Sequence, residues 1–128
     1  MKGDENNALI EHRIARATDT IEEVSFLIKN KKLLLAVNRI YYGMFYILSA
    51  LSLRYDFSTS KHQQLIGWFN KEFISSGEID RRYGRILHNA YNNRSTGDYD
   101  DFAEFDEKDV KKSFDEMKDF IKTIRVLL

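Results

Sequence analysis

Between Leu33 and Leu53 the chain reads LLLAVNRIYYGMFYILSALSL, its most apolar stretch. Val37, Tyr41, Met44, Leu48 and Leu51 recur at the four-three spacing that keeps side chains on one helical face. Ile40, Phe45, Ile47 and Ala50 widen that face until little of the circumference is left for water. A helix apolar nearly all round is either central to a soluble core or membrane-spanning. Asn38 and Arg39 near its start, with Tyr41, Tyr42 and Tyr46 following, argue against lipid, where an arginine is costly. The expectation is a soluble bundle wrapped around this helix, with no membrane segment.

The rest of the chain fits that plan. Its 128 residues suffice for one domain with a proper core. The absence of cysteine excludes disulfides and thiolate chemistry, and fits a reducing cytoplasm. No proline interrupts the sequence, which favours long helices over a turn-rich β fold. Twenty basic and twenty acidic side chains cancel, so global charge selects no partner. The polar N-terminal MKGDENN does not read as a secretory signal.

A first helix is expected over about residues 5 to 29, with Ile10, Ile14, Ala17, Ile21, Val24 and Ile28 as its seam. Glu11, His12, Arg13, Arg16, Glu22 and Glu23 lie off the seam and are expected in solvent. Asn30-Lys31-Lys32 gives a tight connection, which makes the first two helices antiparallel neighbours. Ser60-Lys61-His62-Gln63 reads as a capping box opening a third helix, and Gly77 as the left-handed residue that ends it. Ile79, Tyr83, Ile86 and Ala90 mark a fourth helix. The period is lost from Ser95 to Phe105, and Asp106 reads as the N-cap of a fifth helix, stapled by Phe105 and Val110. The fold class is all-α, an antiparallel up-down bundle of four to five helices forming one domain over residues 1–128.

Few residues stand out as chemistry. Arg81, Arg85, His88 and Asn92 share a stripe opposite the fourth seam, either a solvated face or a phosphate-facing one. Arg94 instead continues the line Leu87–Tyr91–Arg94 toward the seam side, at the expected helix end. A half-buried guanidinium needs acceptors, and Asp98 is the nearest, with Gly97 allowing the acid to fold back. That pair is either a structural clamp or an anion site. Leu35, Arg39, Tyr42 and Tyr46 form a further stripe, read as a dimer interface or as a buried arginine stacked on tyrosine. His62 reads as a capping or core histidine. Three scattered histidines make no metal site, no glycine-rich loop cradles a phosphate, and no cofactor is expected.

The runs AVNRIYYGMFYILSALSL at 36–53, SKHQQLIGWFNKEFISSGEID at 60–80 and NNRSTGDYDDF at 92–102 resemble HEPN-domain proteins. They are most similar to the small stand-alone prokaryotic branch, of the uncharacterised UPF type, with an Arg-x-x-x-Asp-Tyr ending. The likeness spans most of the chain. It implies a dimerising helical bundle, akin in role to toxin-like RNases and nucleotide-binding modules. Such proteins are often encoded beside a minimal nucleotidyltransferase that acts as antitoxin. Active RNases of the family carry an arginine followed by a histidine; Arg94 matches the arginine, but Asp98 and Tyr99 stand where the histidine belongs. Taking a proton from a 2′-hydroxyl needs a group titrating near neutrality, and a phenol at about 10 does not serve. An aspartate beside a guanidinium is held in its charged, weakly basic form.

The resemblance therefore implies a dimeric partner of a nucleotidyltransferase. Its cleft, at Arg94, Asp98 and Tyr99 with Arg39 and His62, would bind nucleotide or RNA phosphate. Arg39, Tyr42 and Tyr46 would form the dimer interface, and Tyr99 is a candidate for attachment of a nucleotide. The alternative is a metal-independent RNase toxin in which Arg94 is catalytic and His62 or His88 supplies the base.

Overall fold

The computed structural model describes residues 2–128, with side chains from residue 6 onward. Five helices follow one another: α1 (Lys2–Lys29), α2 (Leu33–Arg54), α3 (His62–Phe69), α4 (Arg81–Tyr99) and α5 (Glu107–Arg125). A π-helical turn, Asn70–Ile74, prolongs α3, and no strand occurs among the described residues. α2 is long and apolar enough to cross a membrane by composition alone. It is instead the centre of the bundle, packed by α1, α3, α4 and α5.

Contacts at the helix ends give the directions. Arg54, closing α2, reaches Asn7 of α1 and the carbonyl of Leu128, while Lys31 pairs with Glu107 at the start of α5. α1 therefore runs antiparallel to α2, and α5 runs parallel to it. Leu34 at the start of α2 lies against Gly97 near the end of α4, so α4 is antiparallel to α2. The result is the expected up-down bundle. Both ends of the α1–α2 hairpin close with a residue in the left-handed region, Lys31 at φ 60° and Asp56 at φ 58°. Each is followed by the paired backbone bonds of a Schellman motif: Lys32 N–H to Leu27 O with Lys31 N–H to Ile28 O, and Phe57 N–H to Ser52 O with Asp56 N–H to Leu53 O. Gly77, at φ 82°, makes the expected turn after α3.

Two expected boundaries move. Ser60 does not cap α3: Lys61 holds the N-cap position, and no side chain bonds the first turn. The Thr59 hydroxyl accepts the Lys61 N–H at 3.1 Å and donates to Gln64 Oε1 at 2.7 Å, so a local turn is completed before the helix begins. Asp106 does hold the N-cap position of α5, though its side chain makes no capping bond. The second shift is larger. α4 continues through Ser95-Thr96-Gly97-Asp98 to Tyr99, where loss of period predicted a loop. These residues are poor helix formers, yet packing overrides propensity here. A Cβ on Gly97 would come 2.9 Å from Leu34 Cδ1, so glycine is what lets this turn lie against α2.

Gly43 plays the same part between α1, α2 and α5. A Cβ there would meet Met117 Cε and come 3.3 Å from Thr20 Cγ2. Gly43→Val should therefore destabilise the protein by about 1–3 kcal/mol through overpacking. Combined with Met117→Ala, the two costs should add to less than their sum in urea denaturation, because the truncated Met makes room for the valine.

Candidate functional site

One polar line survives on the otherwise apolar α2: Arg39, Tyr42, Tyr46 and Ser49, at three-four-three spacing. α1 carries a matching line, Arg13, Arg16, Thr20 and Glu23, with the same spacing. Because the helices are antiparallel, the two lines run side by side, and two of the four pairs bond. Arg39 Nε lies 3.1 Å from Glu23 Oε1. Thr20 faces the backbone at Gly43. Arg16 donates to the Tyr46 hydroxyl at 2.9 Å, its guanidinium 4.4 Å from the ring centroid. Arg16 is exposed, as expected of the off-seam charges, with its guanidinium laid on Tyr46, a contact that the recurring line on α1 signals; Arg13 of the same group is half-buried instead.

The α4 side of α2 holds the residues the sequence singled out. Arg94 Nη2 donates to the Tyr42 hydroxyl at 3.0 Å, and the guanidinium sits 5.3 Å and 5.8 Å from the centroids of Tyr42 and Tyr41. Its Nε stands 2.8 Å from Asp98 Oδ2, an ion pair whose angle falls short of an aligned hydrogen bond. The expected Arg94–Asp98 pair is present, but as an i,i+4 pair within α4, not as an acid folded back from a loop. Only 20% of the Arg94 side chain is exposed. Its Nη1 has no protein acceptor among the described residues, which leaves that edge of the guanidinium for a ligand. Tyr99, next along the helix from Asp98, is 84% exposed and makes no hydrogen bond to this pair.

His62 joins the same cluster. Its ring stacks on Phe45 with centroids 4.2 Å apart and planes 13° from parallel, and packs edge-on to Tyr42. Its Nδ1 lies 2.7 Å from the Tyr41 hydroxyl. Tyr41 is fully buried, and burial pushes its phenol well above the ordinary value, more than Arg94 pulls it down. The phenol therefore keeps its proton, and among the described residues His62 Nδ1 is its one hydrogen-bond partner. Hydrogen-bond satisfaction thus assigns the histidine tautomer: Nδ1 accepts from Tyr41 and Nε2 carries the hydrogen. Burial, aided by the charge of Arg94, holds His62 below its ordinary value and so keeps it neutral. Neither capping nor burial alone describes it; it is a neutral donor beside a guanidinium.

The remaining candidates separate. Arg81, Arg85, His88 and Asn92 are all exposed, with His88 Nε2 3.1 Å from Asn92 Nδ2, and none approaches Arg94. Of the stripe assigned to a dimer, Tyr46 is buried within the chain and Arg39 and Tyr42 are half-buried with partners of their own. Leu35, 55% exposed, is what that stripe presents outward. No group of three or more His, Cys, Asp or Glu is placed to hold a metal among the described residues.

The family model for the HEPN domain matches residues 10–127 of this chain. The chain belongs to the HEPN family. A UPF0332 protein of Thermotoga maritima is 36% identical over 124 residues, 97% of this chain and 94% of its own length. A protein of Methanocaldococcus jannaschii provisionally named as a toxin is 34% identical over 102 residues, 80% of this chain and 69% of its own. A second from that organism, named the same way, is 34% identical over 90 residues, 70% of this chain and 67% of its own. The helical bundle and the HEPN assignment thus agree, and the arginine that the family resemblance pointed to lies against Tyr41 and Tyr42 of α2.

The depressed titration of His62 has a consequence for stability. The unfolded chain takes up a proton near about pH 6.5, whereas the folded HEPN domain resists protonation there. The stabilisation is complete above that pH and is lost as pH falls toward the folded value. Thermal unfolding followed across that window should show the loss, and His62→Gln, which keeps an acceptor for Tyr41 without titrating, should flatten it.

Proposed function

We propose that this HEPN domain is the toxin-side module of a toxin–antitoxin type pair. In this reading it acts in the cytoplasm as a homodimer, binds nucleotide or RNA phosphate at Arg94, and is partnered by a minimal nucleotidyltransferase. The observation that carries the proposal is the Arg94 guanidinium, held by Tyr42 and Asp98 with its Nη1 edge unengaged by protein. A guanidinium fixed in this way is suited to bidentate recognition of phosphate. The names of the M. jannaschii relatives support the toxin-like role. Tyr99, at the last turn of α4 and almost wholly exposed, is accessible to a partner enzyme, which supports its reading as an acceptor of a transferred nucleotide.

The RNase reading draws support from one observation, the placement of His62 beside Arg94. Its Nδ1 is engaged by a phenol that keeps its proton, so the free nitrogen is a donor. A donor serves phosphate binding better than it serves removal of the 2′-hydroxyl proton. Binding is therefore the favoured function.

Fluorescence anisotropy with a labelled single-stranded RNA tests this. Arg94→Ala should weaken binding by about tenfold or more, a charged hydrogen bond's worth, while the circular dichroism stays helical. Equal binding by the variant would remove Arg94 from the site. Cleavage of the RNA that disappears in both Arg94→Ala and His62→Gln would favour the nuclease instead. Leu35→Glu should convert the dimer to monomer in sedimentation, because the new carboxylate would have to be desolvated in the interface. Mass spectrometry after co-expression with the nucleotidyltransferase should find the added nucleotide on the protein, and Tyr99→Phe should abolish it.

A further inference from the structure

The α1–α2 ladder has a last rung, Arg13 opposite Ser49, and there the side chains do not bond to each other. They line a pocket of about 300 Å³, together with Phe45, Ser58, Ser60 and His62. Arg13 is half-buried and makes no ion pair among the described residues. Ser49 is 8% exposed, and while its carbonyl accepts from Ser52, its own hydroxyl has no protein partner among the described residues. That hydroxyl is open to the pocket, where an entering group can bond it. No acidic side chain lines the pocket. The first turn of α3, beginning at His62, has no side-chain cap.

We propose that this pocket is a second phosphate-binding position, adjoining the Arg94 position and sharing His62 with it. Arg13, Ser49 and His62 line it, side chains able to donate, the histidine through Nε2 when Nδ1 accepts from Tyr41. Donors of this kind, with no carboxylate among them, select an anion able to accept from several directions, as a phosphoryl oxygen set does. The phosphoryl group can belong to single-stranded RNA or to a free nucleotide. In the first case two phosphates of one strand would lie on either side of His62, which stacks on Phe45. The link between the two positions rests on the reading of Arg94 given above; the pocket itself does not.

Three probes separate these sources: inorganic pyrophosphate, a short single-stranded RNA and adenosine monophosphate, each titrated into the full chain and followed by NMR and calorimetry. Pyrophosphate should shift the His62 ring and Ser49 resonances, and Arg13→Met should weaken its binding by about tenfold. Arg13 makes no ion pair, so Arg13→Met is expected to fold as the parent does; Ser49→Ala gives a second, smaller loss. If RNA is the source, Arg13→Met and Arg94→Ala should each weaken RNA binding, and the double variant should weaken it further. If a free nucleotide is the source, adenosine monophosphate should bind with the same Arg13 dependence, and RNA binding should not respond to Arg13→Met. An Arg13 effect on pyrophosphate without any Arg94 effect on RNA would uphold the pocket and overturn the Arg94 reading. Binding of all three probes unchanged by Arg13→Met and Ser49→Ala would overturn the pocket, whatever Arg94→Ala does.

Discussion

The structure depends on a helix that is enclosed on nearly every side and yet carries polar atoms. α2 buries thirteen of its residues, among them Tyr41, Tyr46, Ser49 and Ser52. The Ser52 hydroxyl donates back to the Ser49 carbonyl of the same helix, but the tyrosine hydroxyls, at the ends of longer side chains, find their partners on other elements. Cations and a histidine from the neighbouring helices meet that demand. Arg16 reaches Tyr46, Arg94 reaches Tyr42, and His62 receives the Tyr41 proton. The same side chains that satisfy the core thereby gather positive charge and donors along one side of the bundle. Site and scaffold share their atoms.

That sharing shapes the electrostatics. Guanidinium groups stacked on tyrosine faces gain about 0.5–2 kcal/mol from the ring quadrupole, according to how far they are desolvated. They also lose rotational freedom before any ligand arrives, so less entropy remains to be lost on binding. Asp98 and Glu23 offset part of the charge without covering the guanidinium faces completely. The aromatic shelf of Tyr41, Tyr42, Phe45 and Tyr46 excludes water from the guanidinium undersides, which strengthens whatever their free edges meet.

Much of this could be read from the sequence. The α2 seam, the short 30–32 connection and the left-handed Gly77 all follow from spacing and turn chemistry, and the structure carries each of them. Arg94 was legible because it fell on the apolar side of its helix. The end of α4 was not: Ser95-Thr96-Gly97-Asp98 looks like a loop unless one knows that Leu34 presses on Gly97. That contact joins residues 63 positions apart, beyond any local pattern. The contacts of Arg16 and His62 with rings of α2 were not legible for a related reason, since each joins a side chain to a ring on another helix. The capping box at Ser60 failed by competition, since Thr59 one residue earlier already provides the turn.

The close pairing of α1 and α2 through a three-residue connection bears on how the chain comes to be active. Their contacts are local in sequence, and local contacts form early because little loop entropy opposes them. The α1–α2 hairpin, including the Arg16–Tyr46 and Arg39–Glu23 rungs, is thus the natural nucleus. Arg94 meets Tyr42 across 52 positions, and that closure must wait for α3 and α4 to be made and docked. The hairpin contacts can thus form before Arg94 is set against the aromatic face of α2, so the surroundings of that guanidinium are among the last parts of the fold to be completed.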